Sequence, residues 1–218
     1  MTSALRGLTV LVTAGPTREP IDPVRFLSNA STGRMGWEIA REVRRRGARP
    51  VLVLGPSALE DLRGVAVVRV ETAREMLAAA RRAARGAAVA VFAAAPADWR
   101  PARSSRGKRP KSAFGARPRL RLVENPDVAA TLGRGKGARL HVGFALETRD
   151  ALARAARKMT AKRFDAIVVN GPENVGRGGG RAWFLEAGKP PARIPTGDKA
   201  ATARAIVDRI EALLRARA

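Results

Sequence analysis

The sequence predicts an α/β fold, a Rossmann-like, doubly wound and mostly parallel sheet, and three observations predict it. Short apolar, β-branched runs recur at 8–13, 50–55, 65–70, 88–94, 140–145 and 165–169, each of a length that suits a buried strand. Between several of them the apolar residues repeat at helical spacing, and strands that alternate with helices build parallel sheets. Glycine, proline or a capping residue punctuates the junctions.

Taken in order, 8–13 (LTVLVT) runs into the turn signal Ala14-Gly15-Pro16. A dinucleotide fold opens its first helix here through G-x-G-x-x-G. Only Gly15 is present, and Pro16, Pro20 and Pro23 hold the chain in a long polar loop as far as Asn29-Ala30-Ser31-Thr32-Gly33. A helix then carries Met35, Ile39, Ala40 and Val43 on one face, with Arg44, Arg45 and Arg46 at its basic end and Gly47 as the stop. Asn29, Ser31 and Thr32 thus reach a helix N-terminus, where unpaired N–H groups favour a carboxylate or phosphate. The alternative is an ordinary cap on a surface helix.

Segments 50–55 (PVLVLG) and 65–70 (VAVVRV) read as the next strands. Thr72 with Glu75 three residues on forms a capping box, opening a helix through Met76, Leu77, Ala80 and Ala83 to Gly86. Strand 88–94 ends in Ala95-Pro96-Ala97-Asp98. Asp98 therefore sits where open α/β sheets gather ligands, or else caps a turn. Segment 101–118 is an aperiodic Pro/Ser/Gly/basic loop whose lysines could fold over a polyphosphate or be merely solvated. Segment 119–123 (RLRLV) alternates as an edge strand does. Asn125, Pro126 and Asp127 read as cap, first position and first turn of a short helix ending at Gly133. After strand 140–145, Thr148 reads as the cap of a helix through Leu152, Ala155 and Met159, with Lys158 and Lys162 four apart on one face. Strand 165–169 leads into a Gly/Pro-rich stretch, 171–195, with β-like pieces around Trp183 and Arg193. Gly197-Asp198 starts the last helix, with Ile206, Val207, Ile210, Leu213 and Leu214 on one face.

A chain of 218 residues is long enough for one α/β domain with a full core, so a single domain over 1–218 is expected. No apolar run reaches about 18 residues, the length a transmembrane helix needs, and the first residues lack a secretory core. With no cysteine there is no disulfide framework, thiol nucleophile or zinc-thiolate site. The only histidine, His141, lies in an apolar run and reads as a strand residue rather than a catalyst. Lys and Arg number 42 against 19 acids, a formal +23 that favours polyanions. That charge is spread along helix faces and loops with few aromatic residues, which reads equally as a solvated Arg-rich surface.

The run T-A-G-P-T-R-E-P-I-D-P-V-R-F-L-S-N-A-S-T-G-R-M-G at 13–36 closely resembles the signature of the phosphopantothenate-cysteine ligase (phosphopantothenoylcysteine synthetase) family. In many bacteria that ligase is the C-terminal half of a fusion with a flavin-dependent decarboxylase. The resemblance extends over 8–214 through A-x-A-D at Asp98, the lysine loop, N-P-D-V at 125–128, V-G-F-A-x-E-T at 142–148 and D-x-I-V-x-N at 165–170. It implies ligation of L-cysteine to 4′-phosphopantothenate in coenzyme A biosynthesis, with CTP, or ATP, as the nucleotide and Mg²⁺ as the cation. Asn29 matches the family's essential asparagine, and Lys108 best matches the first lysine of its K-x-K-K element, with Lys111 the alternative. By the same match Gly15, Ala93, Ala94, Asp98, Lys108, Pro126, Asp127, Val128, Ala129, Phe144, Lys158 and Lys162 would contact the nucleotide, and Asn29, Ser31 and Thr32 the acid substrate. No metal ligand is assigned. The family also implies a cytoplasmic homodimer joined by a small β-hairpin extension within 171–195, although its F-x-x-x-x-N pattern is eroded here to 175–180. A stand-alone ligase, with the decarboxylase as a separate partner, is the expectation. Two other classes compete. A nucleic-acid-binding module follows from the charge but needs neither Asn29 nor Asp98, and a nicotinamide-dependent oxidoreductase lacks its glycine fingerprint here.

Overall fold

Residues 2–171 and 181–217 are described in a computed structural model of the chain. Apolar runs in the sequence become strands of one eight-stranded sheet. In chain order these are β1 (Thr9–Ala14), β4 (Arg49–Leu54), β5 (Ala66–Arg69), β6 (Val89–Phe92), β9 (Leu140–Leu146), β10 (Ala166–Asn170), β11 (Ala182–Glu186) and β12 (Ala192–Ile194). Their spatial order is β12-β11-β10-β9-β6-β1-β4-β5. From β10 to β5 every pairing is parallel, whereas β11 and β12 add on antiparallel. The chain steps outward from β1 through β4 to β5, then returns to the other side of β1 with β6. That reversal opens a crevice beyond the C-terminal ends of β1 and β6.

Among the described residues, five helices cover the two faces: α1 (Arg34–Arg45), α2 (Ala73–Ala84), α3 (Val128–Arg134), α4 (Ala151–Ala161) and α5 (Lys199–Arg215). Successive strand residues point to opposite faces. Val10 and Val12 accordingly join Leu52, Leu54, Val89 and Val91 beneath Ile39 and Val43 of α1 and Ile206, Val207 and Ile210 of α5. Leu11, Val53, Ala90 and Ile167 join Met76 of α2, Leu132 of α3 and Ala155 and Met159 of α4 on the other face. With both faces covered, the strands are continuously apolar rather than alternating, which is why they stood out as runs. Burying each large aliphatic side chain is worth about 1.5–3 kcal/mol, so this two-sided core dominates stability. The doubly wound sheet and its antiparallel C-terminal extension agree with the fold expected from sequence.

Four local expectations are corrected. The polar loop between β1 and α1 contains a hairpin, β2 (Arg18–Pro20) paired with β3 (Phe26–Ser28). Its turn closes because Asp22 accepts hydrogen bonds from the N–H groups of Val24 and Arg25, both at 2.9 Å, the usual way an Asx turn replaces backbone pairing. The alternating segment near 119–123 pairs elsewhere: β8 (Leu122–Glu124) joins β7 (Trp99–Pro101) in a separate two-stranded ribbon, not the main sheet. Asp127, not Asn125, caps α3, accepting from the Ala130 N–H at 2.9 Å. Asn125 is instead buried, its amide donating to the Ala97 carbonyl at 2.9 Å. Asp150, not Thr148, precedes α4, with φ of 48° and no side-chain cap. Here β9 runs on to Leu146 and the Glu147 N–H still donates to Asn170 at 3.1 Å, so the chain cannot turn as early as Thr148. The expected capping box at Thr72 and Glu75 is present on α2. The eroded pattern at 175–180 lies outside the described residues. Among the described residues, no helix is long and apolar enough to cross a membrane.

Candidate active site

At the crevice the main chain extends both central strands. Pro16 bridges to Ala95 in parallel fashion, and the Ala95 N–H donates to the Gly15 carbonyl at 2.9 Å. Gly15 has φ of 81°, and a Cβ on it would stand 3.3 Å from the Gly55 backbone, so only glycine fits this turn. Asn29 reaches across the opening. Its Nδ2 donates to the Pro96 carbonyl at 2.9 Å and more loosely to that of Ala95 at 3.4 Å. Beneath this crossing runs a buried polar chain. The Ala97 N–H donates to Thr17 Oγ1 (3.0 Å), that hydroxyl donates to Glu19 Oε1 (2.9 Å), and Glu19 Oε1 also accepts from the Ala73 N–H (2.9 Å). Thr17 and Glu19 are buried, so β2 is tied simultaneously to the crevice loop and to α2.

One wall comes from α1. Gly33 is its N-cap with φ of 77°, and Ser31 and Thr32 accept only long bonds, 3.4 Å each, from the N–H groups of Gly33 and Arg34. Arg34 lies back on the buried Glu38, its Nε 2.8 Å and its Nη2 2.7 Å from Oε1.

The facing wall comes from the ends of β6 and β9 with α3 and α4. Lys158 is half-buried, and its ammonium donates to the Phe144 carbonyl at 2.9 Å. Burial first, and the neighbouring Lys162 second, push its pKa below the usual lysine value. Lys162 pairs with Asp127 at 2.6 Å. Burial alone would raise Asp127, but the Ala130 N–H and Lys162 outweigh it and hold this carboxyl below the ordinary range.

Together these walls enclose a cleft of about 690 Å³. Of the residues singled out from sequence, Asn29, Ser31, Thr32, Ala93, Ala94, Asp98, Asp127, Val128, Ala129, Phe144, Lys158 and Lys162 line it. Gly15, Pro126 and Lys108 are not among the lining residues. Gly15 acts through the turn, and Pro126 leads into the Asp127 cap. Lys108 is exposed on the basic loop, which docks away from the cleft on the β2–β3 hairpin. The Ser105 N–H there donates to the Ile21 carbonyl at 2.9 Å, the Arg109 N–H to Asp22 at 3.3 Å, and Arg25 and Arg109 stack on Phe114 at 4.4 and 4.7 Å. Lys111 opens a 3₁₀ turn, Lys111–Phe114, in that loop. His141 is buried in β9 and does not line the cleft.

Sequence reasoning missed Arg34, Asn170, Thr196, Lys199 and Thr202, all of which line the cleft. Arg34 was within reach of a motif reading, one residue past the Asn29–Gly33 stretch. The start of α5 was not, because only the second strand reversal, at β12, brings it to this edge.

In this arrangement one end of the cleft offers two lysines and a carboxylate pair, the other a helix start with hydroxyls, and an asparagine amide spans the middle. Polyanion binding and acyl transfer both call for such donors. Among the described residues no three His, Cys, Asp or Glu side chains cluster as a metal site. Asp98 and Asp127 are the carboxylates among the described lining residues, and a cation such as Mg²⁺ takes one or two carboxylates and completes its shell from substrate phosphates and water.

A model of the DNA/pantothenate metabolism flavoprotein C-terminal domain matches residues 5–214. The coenzyme A biosynthesis bifunctional protein CoaBC of Mycobacterium bovis is 40% identical over 229 residues, covering 96% of this chain and 53% of that protein. A cysteine/cysteine sulfinic acid decarboxylase from an unknown prokaryotic organism is 43% identical over 178 residues, with 81% and 49% covered. The chain thus spans about half the length of the curated relatives it matches. The crystal structure of the C-terminal domain of a coenzyme A biosynthesis bifunctional protein CoaBC superposes with a TM-score of 0.84 at 34% identity, covering 98% of this chain and 99% of that one.

Proposed function

This chain belongs to the DNA/pantothenate metabolism flavoprotein C-terminal domain family, and from that premise we propose that it ligates L-cysteine to 4′-phosphopantothenate at the expense of CTP. The observation that carries the reading is Asn29, held across the crevice by the Pro96 and Ala95 carbonyls and facing a wall that carries Lys158, Lys162 and Asp98. In a first step a carboxylate oxygen of phosphopantothenate bonds to the α-phosphorus of CTP, the bond to the β-phosphate breaks, and pyrophosphate leaves. Lys158 and Lys162 neutralise charge growing on those phosphates, and the neighbouring carbonyl and carboxylate fix their ammonium groups beforehand. Mg²⁺, when bound, would add Lewis-acid neutralisation of the same oxygens, with Asp98 and Asp127 the carboxylates that would hold it. In the second step the cysteine amine attacks the acyl carbon, loses a proton, and CMP departs with the carboxylate oxygen. Releasing the longer Asn29 contact to Ala95 would make one N–H available to the oxyanion formed in this step. The same reading carries a cytoplasmic homodimer and a flavin-dependent decarboxylase acting on the product.

Pyrophosphate release with 4′-phosphopantothenate, measured with CTP and with ATP, before and after adding cysteine, tests the proposal. Release with CTP and phosphopantothenoylcysteine formation on adding cysteine are expected. No release with either nucleotide overturns the ligase reading, and release with ATP alone overturns the choice of CTP.

A further inference from the structure

Asn125 carries a buried amide beside the cleft without lining it. It stands where the β7–β8 ribbon opens toward the site. Trp99 pairs with Glu124 at that end, and one step further the Asn125 N–H donates to the Asp98 carbonyl at 2.8 Å. There the two strands part. One leads back to Asp98 at the end of the crevice loop, the other on to Asp127 at the start of α3, and both residues line the cleft. The Asn125 side chain ties the parting ends together, its Nδ2 donating to the Ala97 carbonyl at 2.9 Å while its Oδ1 accepts from Arg100 at 3.2 Å.

Ala97 is gripped from the opposite side as well. Its N–H donates to Thr17 Oγ1 at 3.0 Å, and the carbonyl just before it, on Pro96, accepts from Asn29 Nδ2 at 2.9 Å. Thr17 is held in turn, its hydroxyl donating to the buried Glu19 at 2.9 Å and its carbonyl accepting from the Ser28 hydroxyl at 2.8 Å. The carbonyls of Pro96, Ala97 and Asp98 and the Ala97 N–H are thus all engaged by groups distant in sequence, which leaves this loop few other conformations. Asn125, Ala97 and Thr17 are not among the described lining residues, whereas Asn29 and Asp98 are.

We propose that Asn125 and Thr17 are positioning residues: acting on Ala97 from opposite sides, they hold Asn29 and Asp98 at a fixed offset, so that the acyl group beside Asn29 and the nucleotide beside Asp98 meet in line. This rests on the ligase reading for the identity of the reacting groups. Offsets of this kind govern rate more than affinity, since misplacing a reacting group by about 1 Å can cost about 10²-fold. An amide suits the task because it donates to a carbonyl and accepts from a guanidinium while adding no charge next to Asp98 and Asp127.

Steady-state kcat and KM for each substrate, with backbone hydrogen exchange at Ala97 and Asp98 followed alongside, test the proposal. The variants are Asn125→Ala, Asn125→Asp, Thr17→Val and the Thr17→Val/Asn125→Ala pair, compared with wild type at a temperature where circular dichroism shows each one folded. Asn125→Asp retains an oxygen for Arg100, and with it the ribbon, but cannot donate to Ala97, so it decides the question even if Asn125→Ala does not fold. In both Asn125 variants kcat should fall about 10²-fold, with every KM as in wild type because no side chain lining the cleft has been removed. Exchange at Ala97 and Asp98 should quicken. The pair should lose no more than its worse single member, since both residues act through Ala97. Earlier melting with a wild-type kcat marks a purely structural amide and overturns the proposal, as do an unimpaired Asn125→Asp and losses that multiply in the pair. The two readings fail separately. If wild type releases no pyrophosphate, the ligase reading falls and exchange judges the clamp: quicker exchange in Asn125→Asp keeps it, and unchanged exchange sinks it. Active wild type with indifferent Asn125 variants sinks the clamp and keeps the ligase.

Discussion

Gly143 lies in β9 directly against a ring of the cleft wall, and replacing it with alanine tests how tightly fold and site are joined. A Cβ built there would overlap the Phe164 ring, meeting three of its carbons; even the farthest of the three is 2.8 Å away, whereas ordinary contact begins at 3.4 Å. The ring cannot simply flex, because an aromatic moves as a plate. Phe164 is buried, and it stacks on Phe92 with centroids 5.6 Å apart. Phe92 is itself held edge-on by His141 at 5.2 Å. Overpacking of this kind costs typically about 1–3 kcal/mol, and a rigid, doubly contacted ring places Gly143→Ala toward the upper end. In a chain of this size each kcal/mol lowers Tm by about 2–4 °C, so a fall of roughly 5–12 °C is expected in a thermal melt. Phe92 and Phe164 also line the cleft, and any nucleotide affinity should fall with them. Gly143→Ala/Phe164→Leu should recover part of the Tm, since the shorter side chain yields to the new methyl. An unchanged Tm in the single variant would refute the argument, showing that the ring has room to retreat.

Thr72→Ala removes the capping box of α2 and should cost about 1 kcal/mol in chemical denaturation, leaving cleft ligands untouched. For His141, burial first and then the positive charge of Arg139 hold the pKa down to about 4, below the ordinary 6.5. The unfolded chain therefore binds a proton that the folded one refuses between those values, so this contribution is complete above pH 6.5 and is lost as pH falls toward 4. Denaturation of wild type against His141→Leu across that window should show about 3 kcal/mol of pH-dependent difference, and parallel curves would remove His141 as the cause. Lys162→Ala breaks an ion pair whose Asp127 side is 45% exposed, so stability should drop by no more than about 1 kcal/mol, whereas the KM for nucleotide should rise about tenfold if the ligase reading holds. Asn29→Asp sets a carboxylate against the Ala95 and Pro96 carbonyls. Cysteine ligation should fall by about 10²-fold, and unimpaired turnover would remove Asn29 from the chemistry.

Much of this was legible beforehand for particular reasons. The central strands were readable because a sheet covered on both faces needs uninterrupted apolar runs, and Thr72 with Glu75 because a capping box is complete within four residues. The β2–β3 hairpin was passed over because its strands are only three residues long, its turn is closed by the Asp22 side chain rather than by a glycine, and Glu19 is buried against the Ala73 N–H far away in sequence. Asn125 and Thr148 misled because cap-forming residues satisfy local rules wherever they occur, and the decision went to longer-range bonds that the Ala97 and Asn170 carbonyls accept from the Asn125 amide and the Glu147 N–H. In the site, the motif residues nearest the ends of β6 and β9 line the cleft together. Lys108 stands apart from them, since its loop docks on the hairpin, where Asp22 accepts from the Arg109 N–H and Arg25 stacks on the loop's own Phe114.

The sequence by itself determined the main strands and helices of the central sheet, the doubly wound class, and the family. Those properties rest on periodicity, local capping and residue order, all of which one dimension records. The tertiary structure alone decided where the walls of the cleft stand. Lys158, Lys162 and Asp127 meet because α3 and α4 pack on one face, and Arg34 and Lys199 line the same opening because the two reversals, at β11 and then β12, return the chain to the edge where α1 begins. Strand order is set by which buried faces fit together, and that is a property of the packed core rather than of any single stretch of chain.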